Sequence, residues 1–139
     1  MQLTVESLRG TGGFAGAPVK KAISWVIGEQ EYDAEVYVRR LSYKSAITDA
    51  VAISEGGDLP AARISYCIVN EKGDPIFTVA DITGVNPDGS PVMDDVDGEQ
   101  VPRGALHEAI ANALYEVILE VNPVGKRKGR NSPKSKSSG

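Results

Sequence analysis

The sequence predicts a small single α+β domain: an N-terminal β-hairpin, then helices, a long amphipathic C-terminal helix and a disordered basic tail. Three observations predict it. Residues 19–40 alternate apolar and polar side chains in period two on both sides of Gly28. Residues 103–121 repeat apolar side chains at the helical period. After Pro123 the chain becomes VGKRKGRNSPKSKSSG, whose only apolar side chain is Val124. Such a segment buries too little to offset the entropy of ordering it. The boundaries are therefore a domain over residues 1–123 and a tail over residues 124–139.

From the N-terminus, Thr4 can cap a short helix reaching Leu8. Arg9 to Pro18 holds four glycines and reads as a loop. In the first strand Val19, Ile23, Trp25 and Ile27 share one face. The turn is Gly28-Glu29-Gln30. In the second, Tyr32, Ala34, Val36 and Val38 oppose Asp33, Glu35, Tyr37 and Arg39, so one hairpin face is apolar and the other charged.

Ser42 to Ser54 is expected to be helical, with Ser42 as cap and Tyr43, Ala46, Ile47, Ala50, Val51 and Ser54 forming one stripe. Gly56-Gly57 ends it. Asp58 and Pro60 are suited to open another helix. Ala61 to Val69 continues it, favoured by Ala61-Ala62-Arg63, although Ile64, Tyr66 and Ile68 also alternate as in a strand. Asn70 to Pro75 is a turn that returns Ile76-Phe77 to the core. Thr78 can cap one helical turn to Ile82. Asn86 to Pro102, rich in Asp, Gly and Pro, is expected as an exposed loop with at most a weak hairpin. Arg103 to Val121 is the strongest helix. Its stripe is Leu106, Ile110, Ala113, Leu114, Val117, Ile118 and Val121, and Asn122-Pro123 stops it.

Composition narrows the function. Up to Pro123 nine Lys/Arg stand against nineteen Asp/Glu, and six basic residues follow with no acid. About 120 residues suffice for one core without metals or disulfides. Cys67, the single cysteine, reads as a buried structural thiol in a reducing compartment. The N-terminus lacks a signal-peptide pattern, and no apolar run approaches the roughly 20 residues of a membrane span. The expectation is a protein of the cytoplasm with no membrane partner.

No catalytic, cofactor-binding or metal set emerges, so the chain is not expected to be an enzyme. His107, the only histidine, lies beside the stripe of its helix with no Ser or Cys motif to serve. Gly10 to Ala15 matches G-x-G-x-x-A, but that motif needs a strand before it and a helix after it. Gly125-Lys126 is followed by Arg127 where a P-loop has Ser or Thr. Aligning Gly98 with the turn glycine of a calcium loop puts Met93 and Gly104 where carboxylates are required. The basic tail could contact phosphates. It has no aromatic residue to stack bases, and an acidic body repels the polymer.

Four co-linear stretches resemble the tail assembly chaperones of long-tailed bacteriophages: LTVESLRGTGGFAGAPVKKAISW, EVYVRRLSYKSAITDAV, RISYCIVNEKGDPIFTVADI and ALHEAIANALYEVILEVNP. They span most of residues 3–123 as patterns of hydrophobicity and turns. The loop from Val85 to Pro102 looks longer and more acidic than the family's usual link. The resemblance implies a non-catalytic role in the host cell cytoplasm during virion morphogenesis, with absence from the mature virion. It implies binding and solubilising the tape measure protein, recruiting tail tube protein, and self-association into oligomers. Candidate partner-binding residues are Leu106, Ile110, Leu114, Val117 and Ile118. The family also makes a longer product by ribosomal frameshifting, for which Gly125 and Lys126 are the candidate position. Two other readings are a tail component retained in the virion and a small nucleic-acid-binding protein using the tail.

Overall fold

The hairpin forms where period two places it. In the structure, a computed structural model that describes residues 2–54 and 57–123, strands β1 (Val19–Ile27) and β2 (Gln30–Val38) pair antiparallel from Val19↔Val38 to Ile27↔Gln30. Gly28 takes φ +65 in the tight turn, a conformation open to glycine without a Cβ penalty. Ile23, Val36 and Val38 are buried on one face. Lys20, Ala22, Ser24 and Val26 lie on the other, opposite Tyr37, Glu35, Asp33 and Glu31. A third strand, β3 (Ile68–Val69), joins β2 through Val38↔Ile68 and Tyr37↔Val69, so the sheet order is β1-β2-β3.

Local chemistry starts the helices. In α1 (Val5–Gly10) Thr4 Oγ1 accepts from the Ser7 amide at 3.0 Å, and Ser7 Oγ accepts from the Thr4 amide at 3.0 Å, a reciprocal cap. Helix α2 (Tyr43–Ser54) follows Ser42, whose Oγ accepts from the Lys44 amide at 3.2 Å. Helix α3 (Leu59–Cys67) begins at Asp58, which accepts from the Ala61 amide at 2.9 Å, with Pro60 in the first turn. The ambiguity over residues 61–69 resolves into both forms in series: helix to Cys67, strand over the last two residues. Asn70 Oδ1 then accepts from the amides of Lys72 and Asp74, and this turn brings Pro75 back beside Val69. Phe77 packs against the core, whereas Ile76 stays exposed. Thr78 and Asp81 cap α4 (Val79–Thr83) reciprocally.

The segment 86–102 is more ordered than a loop. It contains a two-stranded sheet of β4 (Met93–Val96) and β5 (Glu99–Pro102). Asp97 (φ +51) and Gly98 (φ +84) make the turn, the paired positive φ of a type I′ hairpin. Asp95 Oδ1 accepts from the Gly98 amide at 2.9 Å.

Helix α5 runs Glu108–Val121, five residues shorter at its start than the period suggests. Gly104 takes φ +79, and the Leu106 amide donates to Ile82 O at 2.9 Å. Arg103 is held by Asp94 and Asp81. Those tertiary partners extend the chain up to His107, which caps the helix through Nδ1, accepting from the Ala109 amide at 3.0 Å. At the other end Asn122 Oδ1 accepts from the Leu41 amide at 2.7 Å and Nδ2 donates to Arg39 O at 3.1 Å. The helix end is thereby tied to the hairpin base.

The core lies between the hairpin, α3 and α5. Its members are Ile23, Val36, Val38, Ala61, Ile64, Cys67, Ile68, Ile82, Leu114, Val117 and Ile118, flanked by Trp25, Phe77 and Ile110. Burying a side chain the size of Leu114 or Ile118 contributes about 1.5–3 kcal/mol.

Candidate functional site

Helix α2 carries its apolar stripe on the outside. Tyr43 is 79% exposed, and Ile47 and Val51 are each 48% exposed. The polar side faces in. Ser45 is buried, its Oγ donating to Ser42 O at 2.8 Å and accepting from the Ser42 amide at 2.7 Å. Asp49 accepts from two guanidinium nitrogens of Arg63 in α3, Nε and Nη2, and this side-chain hydrogen bonding raises the Arg63 pKa above its ordinary value. Among the described side chains of α2, the inward Ser45 and Asp49 are satisfied by a hydroxyl bond and a forked ion pair, and three large apolar residues are turned to solvent.

Val51 borders a groove of about 470 Å³. Thr48 and Val51 of α2 form one wall and Val79 and Ala80 of α4 the other, with Ala62 of α3 between them and Val85 and Pro87 at the end. Val79 and Val85 are exposed. Alanine at 62 keeps the floor low, since any larger side chain there would fill the space. Helix α4 is anchored at both ends. Asp81 accepts from the Thr78 amide at 2.8 Å and from Arg103 Nη1 at 3.2 Å. The Thr78 backbone bond first, then the Thr78 hydroxyl and Arg103, hold its carboxyl below the usual range. Arg103 Nη2 also reaches Asp94 Oδ1 at 2.7 Å, joining α4 to the β4–β5 hairpin. At the far end Gly84 takes φ +77, and a Cβ there would stand 2.5 Å from the Gly104 carbonyl carbon.

The α5 residues proposed from sequence as partner-binding lie elsewhere. Leu114, Val117 and Ile118 are 1%, 3% and 2% exposed, inside the core, and Leu106 and Ile110 are half-buried against it. The exposed apolar residue of α5 is Leu119, on the opposite side. Gly125 and Lys126 fall outside the described residues.

The remaining polar candidates have structural positions. Cys67 is fully buried, and desolvation pushes its thiol up to about 11, far from a thiolate nucleophile. His107 is a helix cap. The glycines of residues 10–16 begin at the last residue of helix α1 and precede strand β1, the reverse of the order a dinucleotide motif needs. Among the described residues, no group of His, Cys, Asp and Glu is arranged to hold a metal ion, and no helix is long and apolar enough to cross a membrane.

The α2 stripe is legible in the sequence, and its direction is not. The signal that could have given it is the pair Asp49 and Arg63, two charges whose mutual satisfaction lets the polar side of α2 face the body.

No curated protein and no solved structure matches the chain. A family model described as a phage tail assembly chaperone, TAC, matches residues 6–122. That span takes in the hairpin, the α2–α3–α4 groove and all of α5. The chain belongs to the phage tail assembly chaperone family.

Proposed function

We propose that this chain keeps the tape measure protein soluble during tail assembly by holding its amphipathic helical segments along the α2 stripe and the adjoining groove. The observation that carries this reading is the outward apolar face of α2, backed by polar groups satisfied within the body. An amphipathic helix laid beside α2 covers Ile47, Val51 and Val79 and leaves its own polar side in water. Single contacts of this size are weak, and many copies on one long client gain strength through avidity. The acidic body keeps the coated client dispersed by like-charge repulsion. Copies associate with one another on the client and help recruit tail tube protein. The work takes place in the host cell cytoplasm, and the protein leaves before the virion is complete.

The α5 stripe supports this indirectly. Leu114, Val117 and Ile118 build the core, and Leu106 and Ile110 pack against it. No catalytic step, cofactor or metal is required. Gly125-Lys126 is compatible with a slippery codon pair producing a longer, frameshifted product. A heptamer spanning codons 122–130 with an overlapping frame supports this, and its absence removes it.

Co-expression with the tape measure protein tests the reading. The soluble fraction of that protein should rise with the wild-type chain, and the two should co-purify. An unchanged soluble fraction with no co-purification contradicts it. A stoichiometric amount of the chain in purified virions favours the retained-component reading instead.

A further inference from the structure

Charge is sorted along the hairpin. Of the nine Lys/Arg before residue 124, Arg9, Lys20, Lys21, Arg63 and Arg103 each have a carboxylate partner. The other four, Arg39, Arg40, Lys44 and Lys72, have none among the described residues, and all four line one groove of about 320 Å³ at the hairpin base. Arg39 is held there by carbonyls, donating to Tyr66 O at 2.9 Å and Gly73 O at 2.7 Å. This groove shares Ala15, Arg40, Ser42 and Lys44 with a neighbouring one that adds the exposed apolar side chains Phe14, Leu41 and Tyr43. The base thus sets exposed apolar side chains beside basic ones.

The free end of the hairpin is the converse. Glu29, Glu31 and Asp33 have no basic partner among the described residues. Glu31 and Asp33 project from one face. The other face carries the exposed Tyr32 and Ile27; Tyr32 stacks, ring centroids 5.8 Å apart, on Trp25, which itself packs against the core. The tip is an arm with an acidic side and an apolar side.

We infer that copies of this chain join head to tail, the acidic hairpin tip of one copy seating in the basic groove at the hairpin base of the next. Strands of nine residues separate tip from base by about 30 Å, so the arm cannot fold back into its own groove. The two surfaces differ, so the contact is heterologous and repeats, closing into a ring or running on as an open helical array. The unpaired charges steer the encounter and set its direction, and the apolar residues exclude water around it. The occupant is a second copy because the complementary acidic and apolar arm is present on every chain. The tail, itself basic, is repelled by the same basic side chains. The inference rests on the reading that copies associate, and it names the surface.

Charge reversal in the full-length protein tests it, read by sedimentation velocity across concentration and salt. Wild type should assemble, less so at high salt. The tip variant E31K/D33K and the base variant R40E/K44E should each associate at least about 10-fold more weakly. Mixed in equal amounts they should recover assembly, since each then meets an oppositely charged partner, and that recovery also shows both are folded. Wild-type assembly by both variants, or by neither alone nor mixed, overturns this interface while leaving self-association standing. A wild type that remains monomeric at all concentrations, with and without client, removes self-association itself. Assembly that depends on residues 124–139 and ignores the charge reversals gives the arm to the tail instead. Single-stranded oligonucleotide bound by the base groove in place of assembly makes that groove a nucleic-acid surface. Both of these results overturn the proposal.

Discussion

Helices α2 and α5 carry the same kind of apolar stripe and point it in opposite directions. The α5 stripe faces the sheet and α3, burying Leu114, Val117 and Ile118. In α2, Tyr43, Ile47 and Val51 face solvent, while Asp49 turns inward to the guanidinium of Arg63. Periodicity therefore tells which residues of a helix go together. What the helix packs against decides whether they fold the protein or bind something else.

Substitutions can break this contrast or sharpen it. The largest effect is expected in α5. Leu114→Ala leaves a cavity in the core and should cost about 3 kcal/mol, a range of roughly 2–5 being usual for such truncations, read from urea unfolding. A cost as small as that of an exposed site would place the stripe outside the core. Next comes the wall of the groove. Gly84→Ala adds a Cβ against the Gly104 backbone at a positive φ, and a loss of about 1–3 kcal/mol is expected. Native-like stability would mean that α4 shifts easily. Asp49→Ala removes the partner of a part-buried Arg63 and should destabilise by about 1 kcal/mol after allowance for its exposure. If the charges instead hold α2 weakly, unfolding midpoints will not move.

Ile47→Ala should change stability by no more than about 0.5 kcal/mol, while weakening capture of the client. A cost comparable to that of Leu114→Ala would erase the contrast. The smallest effect concerns pH. Asp81 is held below the usual carboxylate range, chiefly by the Thr78 amide. Its contribution is present above the unfolded value near 3.9 and is lost as pH falls through the folded value. Thermal melts of Asp81→Asn should therefore show a shallower acid decline than wild type below about pH 4. Identical acid limbs would remove Asp81 from the account.

Much of the fold was legible because local chemistry specified it. Thr4, Asp58 and Thr78 cap their helices as their side chains suggest, and the hairpin follows period two from Val19 to Val38. The strand character of Ile68-Val69 was visible as alternation but is realised only by pairing with β2. The true start of α5 was hidden because Arg103 and Leu106 are claimed by Asp94, Asp81 and Ile82, partners distant in sequence. The β4–β5 hairpin turns on Asp97-Gly98, the chemistry a two-residue turn requires, within a stretch whose Asp, Gly and Pro content reads as loop. For the site, the stripe of α2 could be read and its outward direction could not, since that depends on one ion pair between two helices. The four cations without a carboxylate partner among the described residues are spread from Arg39 to Lys72 and become a cluster only when the turn at Asn70 returns to the hairpin base.

The measurement closest to the central claim is the amount of tape measure protein that co-purifies with α2 variants of unchanged stability. Ile47→Asp, and Val79→Asp at the first position of α4 where an acidic side chain is tolerated, should melt within a few degrees of wild type and lose most of the bound client. Wild-type recovery of client by both folded variants would contradict the assignment of the outward α2 face as the binding surface.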